Sequence, residues 1–216
     1  MEPDKSLMEW IYCTLIMFSY NEKNDMERII LLDLDGTIID SYNSVLNAME
    51  RAYACLSLQV PSALYETKLV GDLLSLAFKK LPGNIEENKF KMLYDSLLNE
   101  DPLKGVYVSQ CVFDTLNLMK RKGYKLVVLT NKNQQIAETI CSELFPSDMF
   151  EAVIGRKTTK AIKPMFVKQE LITHGINFEQ LHCLIGDSET DRKTAFLLNI
   201  AYYDVNETDI YRLAKI

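Results

Sequence analysis

Three short apolar runs, each closing on a polar group, constrain the fold of this chain more than any other feature. Ile29 to Leu32 leads into Asp33, Leu126 to Leu129 into Thr130 and Asn131, and Cys183 to Ile185 into Gly186 and Asp187. Runs this short and apolar at every position suit central strands of a parallel sheet, covered by helices on both faces. Ala152 to Ile154 and Ala201 to Tyr203 are weaker candidates for further strands. Helical patterns fill the intervals. Val112 to Lys122 stops at Gly123, Gln134 to Leu144 ends before Pro146, Met165 to Thr173 before Gly175, and Asp191 to Leu198 near Asn199. The alternation predicts an α/β fold with a Rossmann-like parallel sheet. In such sheets ligands bind in the crevice at the carboxyl ends of the strands. Topology alone therefore sets three polar loops side by side.

Residues 41–104 interrupt this rhythm. Ser41 to Leu56, Leu64 to Lys80 and Ile85 to Leu98 read as helices, punctuated by Pro61, Pro82-Gly83 and Pro102, with no strong strand among them. The expected organisation is an α/β core of residues 28–40 and 105–216, with a small all-helical insertion at 41–104 placed just after the first strand. Residues 1–27 form a separate accessory segment. Its apolar part, Trp10 to Tyr20, is shorter than the roughly 20 residues that a bilayer requires. The preceding Met1 to Ser6 lacks the positive charge of a signal peptide. The segment is expected to pack on the body or on a partner, with a translation start at Met26 as the alternative. No membrane association is expected.

A net charge of −6 and a pI near 5.1 argue against a nucleic-acid partner, which would call for a basic face. They also mean that a site for an anion must build its positive potential locally. The five cysteines, at 13, 55, 111, 141 and 183, form no CxxC pair and read as small buried hydrophobes in a reducing, cytoplasmic setting.

The chemistry gathers at the strand ends. Asp33 and Asp35 point to the same side of an extended chain, because side chains alternate with period two. Buried together they repel unless a cation intervenes, and hard oxygen ligands of this kind suit magnesium. Gly36 permits a sharp turn, and Thr37 adds a hydroxyl. Asp187 and Asp191, four residues apart, share one face of an opening helix near the positive end of its dipole. Asp187 could be a plain N-cap. A cap accounts for one acid only, so metal ligation is the better reading for the pair. Thr130, Asn131 and Lys132 bring a hydroxyl, an amide and N–H groups able to hold phosphate oxygens. Lys163-Pro164 supplies a cation, with Lys157 and Lys160 as nearby competitors.

These elements, in this order, resemble the haloacid dehalogenase superfamily. Asp33-Leu34-Asp35-Gly36-Thr37-Ile38-Ile39-Asp40-Ser41 is similar to its first motif, Thr130 to its second, Lys163-Pro164 to its third, and Gly186-Asp187 with Asp191 to its fourth. The likeness spans residues 28–204. The helical insertion stands where the family's C1 cap stands, and Thr130-Asn131-Lys132 with a helical cap is most similar to the phosphoglycolate-phosphatase-like branch. The resemblance implies a phosphatase acting on a small-molecule phosphate ester of the phosphoglycolate, sugar phosphate or nucleotide class, as monomer or homodimer. It implies that Asp33 attacks phosphorus to form an aspartyl-phosphate and that Asp35 is the general acid and base. Thr130 and Asn131 would hold the phosphoryl group, and Lys163 would neutralise charge and keep Asp33 ionised. Magnesium would be bound by Asp33, the backbone carbonyl of Asp35 and Asp187, with Asp191 a ligand or a support for one.

The acid at Asp35 favours ester hydrolysis, because dehalogenating members lack it and the ATPase pumps carry threonine there. Mutase members can carry a histidine on the first cap-side helix, and Ser44-Val45-Leu46 offers none. A phosphotransferase or mutase, or a catalytically silent binding protein on the same scaffold, are the alternatives. Two departures stand out. Leu198-Asn199 replaces a common alanine-glycine, although asparagine tolerates the left-handed turn. Val108-Ser109-Gln110 replaces a common proline-glycine. His174 and His182 have no role in this scheme and are expected to be structural. Arg51, Lys68, Lys79 and Lys80 are cap cations whose default position is solvent.

Overall fold

The computed structural model describes residues 28–67 and 70–206, with Gly71 and Asp72 described by their backbone alone. The expectations for residues 1–27, for Cys13 and for Lys68 fall outside that range. Five parallel strands form one sheet: β1 (Ile29–Leu32), β2 (Lys125–Asn133), β3 (Ala152–Arg156), β4 (Leu181–Gly186) and β5 (Ala201–Asp204). Their spatial order is β3-β2-β1-β4-β5. The chain builds outward from β1 to β3, then returns to lay β4 on the other side of β1. Such a reversal of strand order opens a crevice at the strand C-terminal ends.

The all-apolar runs are explained by burial on both faces. Ile30 and Leu32 join one core cluster, with Val128 and Ile185, under α5 (Gln110–Arg121) and α6 (Gln134–Leu144). Ile29 and Leu31 join the opposite cluster, with Val127 and Leu184, under α7 (Val167–Thr173) and α8 (Glu189–Leu198). Period-two alternation thus delivers successive β1 side chains to two different cores. Cys141 and Cys183 are buried as expected, whereas Cys55, the last residue of its helix, is exposed and Cys111 is half-buried.

Between β1 and α5 the chain makes α1 (Tyr42–Cys55), α2 (Ala63–Glu66), α3 (Val70–Lys79) and α4 (Glu87–Glu100), with α1 packed on α3 and α4. The single helix expected over 64–80 is divided. Thr67 is extended, at φ −82° and ψ 143°, and the Tyr42 hydroxyl donates to the Leu64 and Thr67 carbonyls at 3.5 and 3.0 Å. A side chain has captured a carbonyl that a continuous helix would need. Asp40 and Tyr107 pair through two backbone hydrogen bonds, 2.8 and 2.9 Å, and so hold the two ends of this helical excursion together. At the unusual motif positions the turns survive by other means. Asn199 is left-handed at φ 55°, and the Ser109 hydroxyl caps α5 through the Val112 N–H.

Candidate active site

Leu32 pairs with Val128 on one side and Ile185 on the other, so Asp33 leaves the sheet at its centre, its N–H bonded to the Ile185 carbonyl. The β2–β3 pairing is irregular between Leu129 and Asn133. Thr130, Asn131 and Lys132 lie in that stretch and line the same cleft as Asp33 and Asp35.

Lys163 is buried at the middle of the site. Its Nζ donates to Asp33 Oδ1 at 2.7 Å and to Asp191 Oδ1 at 2.5 Å. Burial alone would lower the lysine's affinity for its proton, but Asp33 and Asp191 outweigh it and raise it above the ordinary value. Lys163 is therefore a fixed cation. The competitors lie elsewhere, Lys157 beside Glu170 and Lys160 exposed. Asn131 fixes the lysine's backbone, its Oδ1 accepting from the N–H groups of Ile162 and Lys163 at 3.0 and 2.9 Å. The Thr130 hydroxyl accepts from the Lys132 N–H.

Asp187 has a different environment. Ser188 is the N-cap of α8, in a capping box with Asp191, so the capping alternative for Asp187 does not hold. Asp191 Oδ2 accepts from the Ser188 hydroxyl and N–H, and with Oδ1 bonded to Lys163 both of its oxygens have partners. Asp187 Oδ1, by contrast, is buried without a hydrogen-bond partner. Such a group calls for a cation or a proton. Asp33, Asp187 and Asp191 offer oxygens within 4.8 Å of one another, hard donors matching magnesium. Burial, then Asp33 and Asp191, push the Asp187 carboxyl up to about 8. Burial and Asp191, partly offset by Lys163, raise Asp33 to about 7.

Asp35 stands apart from that cluster. Its Oδ1 accepts from Lys132 Nζ at 2.8 Å and from the Ser41 hydroxyl at 2.5 Å. The sequence named Lys132 only as the tail of a strand-end triplet and Ser41 only as the end of a motif. Neither was legible as the partner of Asp35. If Asp35 is the acid and base that the resemblance implies, substituting Lys132 with Met is expected to lower kcat on a generic aryl phosphate about 100-fold with little change in KM, since it frees the Asp35 carboxyl from the partner that orients it. A loss confined to KM would show that Lys132 instead binds substrate.

The expectation that both histidines are structural agrees with their surroundings. His174 bonds the Glu170 carbonyl, and His182 packs against Tyr124. Arg51 pairs with Glu100 on the surface, 45% exposed.

A family model for haloacid dehalogenase-like hydrolases matches residues 30–205. The chain belongs to that family. Phosphoglycolate phosphatase of Aquifex aeolicus is 29% identical over 170 residues, covering 76% of this chain and 78% of its own. That of Rhodobacter capsulatus is 30% identical over 184 residues, covering 79% and 80%. A haloacid dehalogenase-like family protein from Streptococcus pneumoniae has the same fold, with a TM-score of 0.69 at 21% identity, covering 87% and 90% of the two chains. As a member with such relatives, the chain is a haloacid dehalogenase-type phosphatase. No helix among its described residues is long and apolar enough to cross a membrane.

Proposed function

We propose that this phosphatase hydrolyses a small-molecule phosphate monoester with magnesium, through a covalent intermediate on Asp33. The observation that carries the reading is Lys163 held between Asp33 and Asp191, next to a buried Asp187 oxygen with no partner. An Asp33 oxygen bonds to phosphorus as the ester P–O bond breaks, and the Asp35 carboxyl gives its proton to the departing alkoxide. Water then attacks the phosphorus of the aspartyl-phosphate, Asp35 takes the water's proton, and Asp33 is regenerated as phosphate leaves. The pairing of Asp35 with Lys132 and Ser41 supports its placement for that role, because it fixes the carboxyl without setting it against Asp33.

Asp33, Asp187 and the Asp35 carbonyl would hold the magnesium, whose charge offsets that of the carboxylates and the phosphate. Asp191 is assigned as support, since Lys163 and Ser188 already occupy its oxygens. Thr130 would contact the phosphoryl group, while Asn131 acts by holding the Lys163 backbone. Residues 41–104 would form the cap, hinged where Asp40 meets Tyr107.

The test is phosphate release from p-nitrophenyl phosphate with magnesium, abolished by EDTA. Magnesium is expected to raise the melting temperature of the wild type and of Asp191→Asn, but not that of Asp187→Asn. Folded protein that turns over no ester in a broad panel, or a magnesium response intact in Asp187→Asn, would overturn the proposal.

A further inference from the structure

The cleft that holds Asp33 and Asp35 is also lined by side chains that the proposed chemistry does not use. Tyr94 and Asp95 come from α4, and Arg156 from the end of β3. Arg156 is only 2% exposed. Its Nε donates to the Asn131 carbonyl at 2.7 Å, Nη1 to the Thr158 carbonyl at 3.0 Å, and Nη2 to Asp95 Oδ1. The other Asp95 oxygen and the Tyr94 hydroxyl have no hydrogen-bond partner among the described residues, and both side chains line the cleft. Burial, with Asp35 and Asp95 adding to it, holds the Tyr94 phenol well above its usual range, so it is a neutral donor and acceptor.

The charges of this cleft decide what it can accept. Its described lining carries the cations Lys132, Arg156 and Lys163, and each is already paired with a carboxylate: Asp35, Asp95, and Asp33 with Asp191. The phosphoryl group draws on the catalytic end. A second anionic group on the substrate would meet Asp95, and no cation in the described lining is left without a carboxylate to offset it, while nearby Lys91 donates to the Thr159 carbonyl. Repulsion of that kind is an effective device for selectivity. A hydroxyl has the opposite fit, since it can donate to the unpartnered Asp95 oxygen and exchange a hydrogen bond with Tyr94.

We propose that Asp95, oriented by Arg156 and aided by Tyr94, forms the leaving-group subsite, and that this subsite selects phosphate monoesters bearing hydroxyls over those bearing a carboxylate. The inference rests on the phosphatase reading above and adds the substrate class. Asp95 reads the substrate directly, and Arg156 is its positioning residue. Removal of Asp95 would leave the Arg156 guanidinium facing the cleft unpaired, which turns a wall that repels carboxylates into one that attracts them.

The experiment compares kcat/KM of the full chain for glycerol 3-phosphate, ribose 5-phosphate and 2-phosphoglycolate, in the wild type, Asp95→Ala and Asp95→Asn. The wild type is expected to favour the better hydroxylated ester by about tenfold or more. In Asp95→Ala the ratio should swing toward 2-phosphoglycolate by about tenfold or more, mainly through KM, and Asp95→Asn should move it the same way with the side-chain shape preserved. The ratio is internally controlled, so a partial loss of folded enzyme does not alter it, and the wild-type comparison needs no variant. A wild type that prefers 2-phosphoglycolate, or a ratio unmoved in a folded variant, overturns the inference while leaving phosphatase activity standing. Absence of turnover on these esters and on p-nitrophenyl phosphate overturns the phosphatase reading and the inference together.

Discussion

Asp33→Asn is expected to reduce phosphate release by about 10⁴-fold or more, with the melting temperature unchanged or raised. The activity loss follows from the role proposed for Asp33, because an amide offers no anionic oxygen to bond to phosphorus. The stability expectation follows from its surroundings. Asp33 is buried, its carboxyl is raised to about 7 by that burial and by Asp191, and only Lys163 compensates. A group whose folded value is raised binds its proton more tightly folded than unfolded, so it favours folding below its unfolded value near 3.8 and loses that contribution as pH rises through about 7. Above that range the ionised carboxylate costs stability in the metal-free protein, and the neutral amide removes the cost. Activity measured beside thermal unfolding at pH 8 without magnesium checks both halves. A variant that keeps even a tenth of wild-type turnover would mean that phosphorus is attacked by something other than Asp33.

Gly36→Ala is expected to lose about 100-fold or more in kcat/KM, together with weakened magnesium binding. Gly36 has a φ of +77°, and a Cβ there would lie 2.3 Å from Asp187 Oδ2. The left-handed conformation alone costs a residue with a side chain about 1–2 kcal/mol. The overlap adds to this and can be relieved only by moving Asp187, the acid with an unpartnered buried oxygen. The effect should therefore appear in magnesium affinity before it appears in the fold. Gly83→Ala is the control, since a Cβ there meets nothing within 4 Å. Titrating both variants with magnesium while following activity separates the two cases. Equal behaviour of the two would show that Asp187 does not depend on the turn at Gly36.

The strand-end polar residues were legible in the sequence because local periodicity carries them. An apolar run buried on both faces announces a central strand, and the residue after it must emerge at the carboxyl end of that strand. Asp33, Thr130 and Asp187 were found in this way, and the structure brings them together. The divided helix at Thr67 was not legible, because the hydroxyl that bonds the Thr67 carbonyl comes from Tyr42, 25 residues away. The cap of α8 was left open in the sequence for a related reason. Asp187 and Ser188 are both good capping residues, and only the backbone conformation at Ser188 selects between them.

By itself the sequence determined which residue types stand at the ends of the strands, the parallel α/β architecture, and the helical interruption after the first strand. These depend on patterns a few residues long. Only the tertiary structure decided how those residues are paired. Lys163 reaches Asp33 across 130 residues and Lys132 reaches Asp35 across 97, while Arg156 on β3 meets Asp95 on α4. Such pairings depend on strand order and on the irregular register at the end of β2, which no local periodicity encodes. The same pairings leave one Asp187 oxygen buried and unpartnered, and that oxygen is the ground on which a metal site is proposed there over a capped helix.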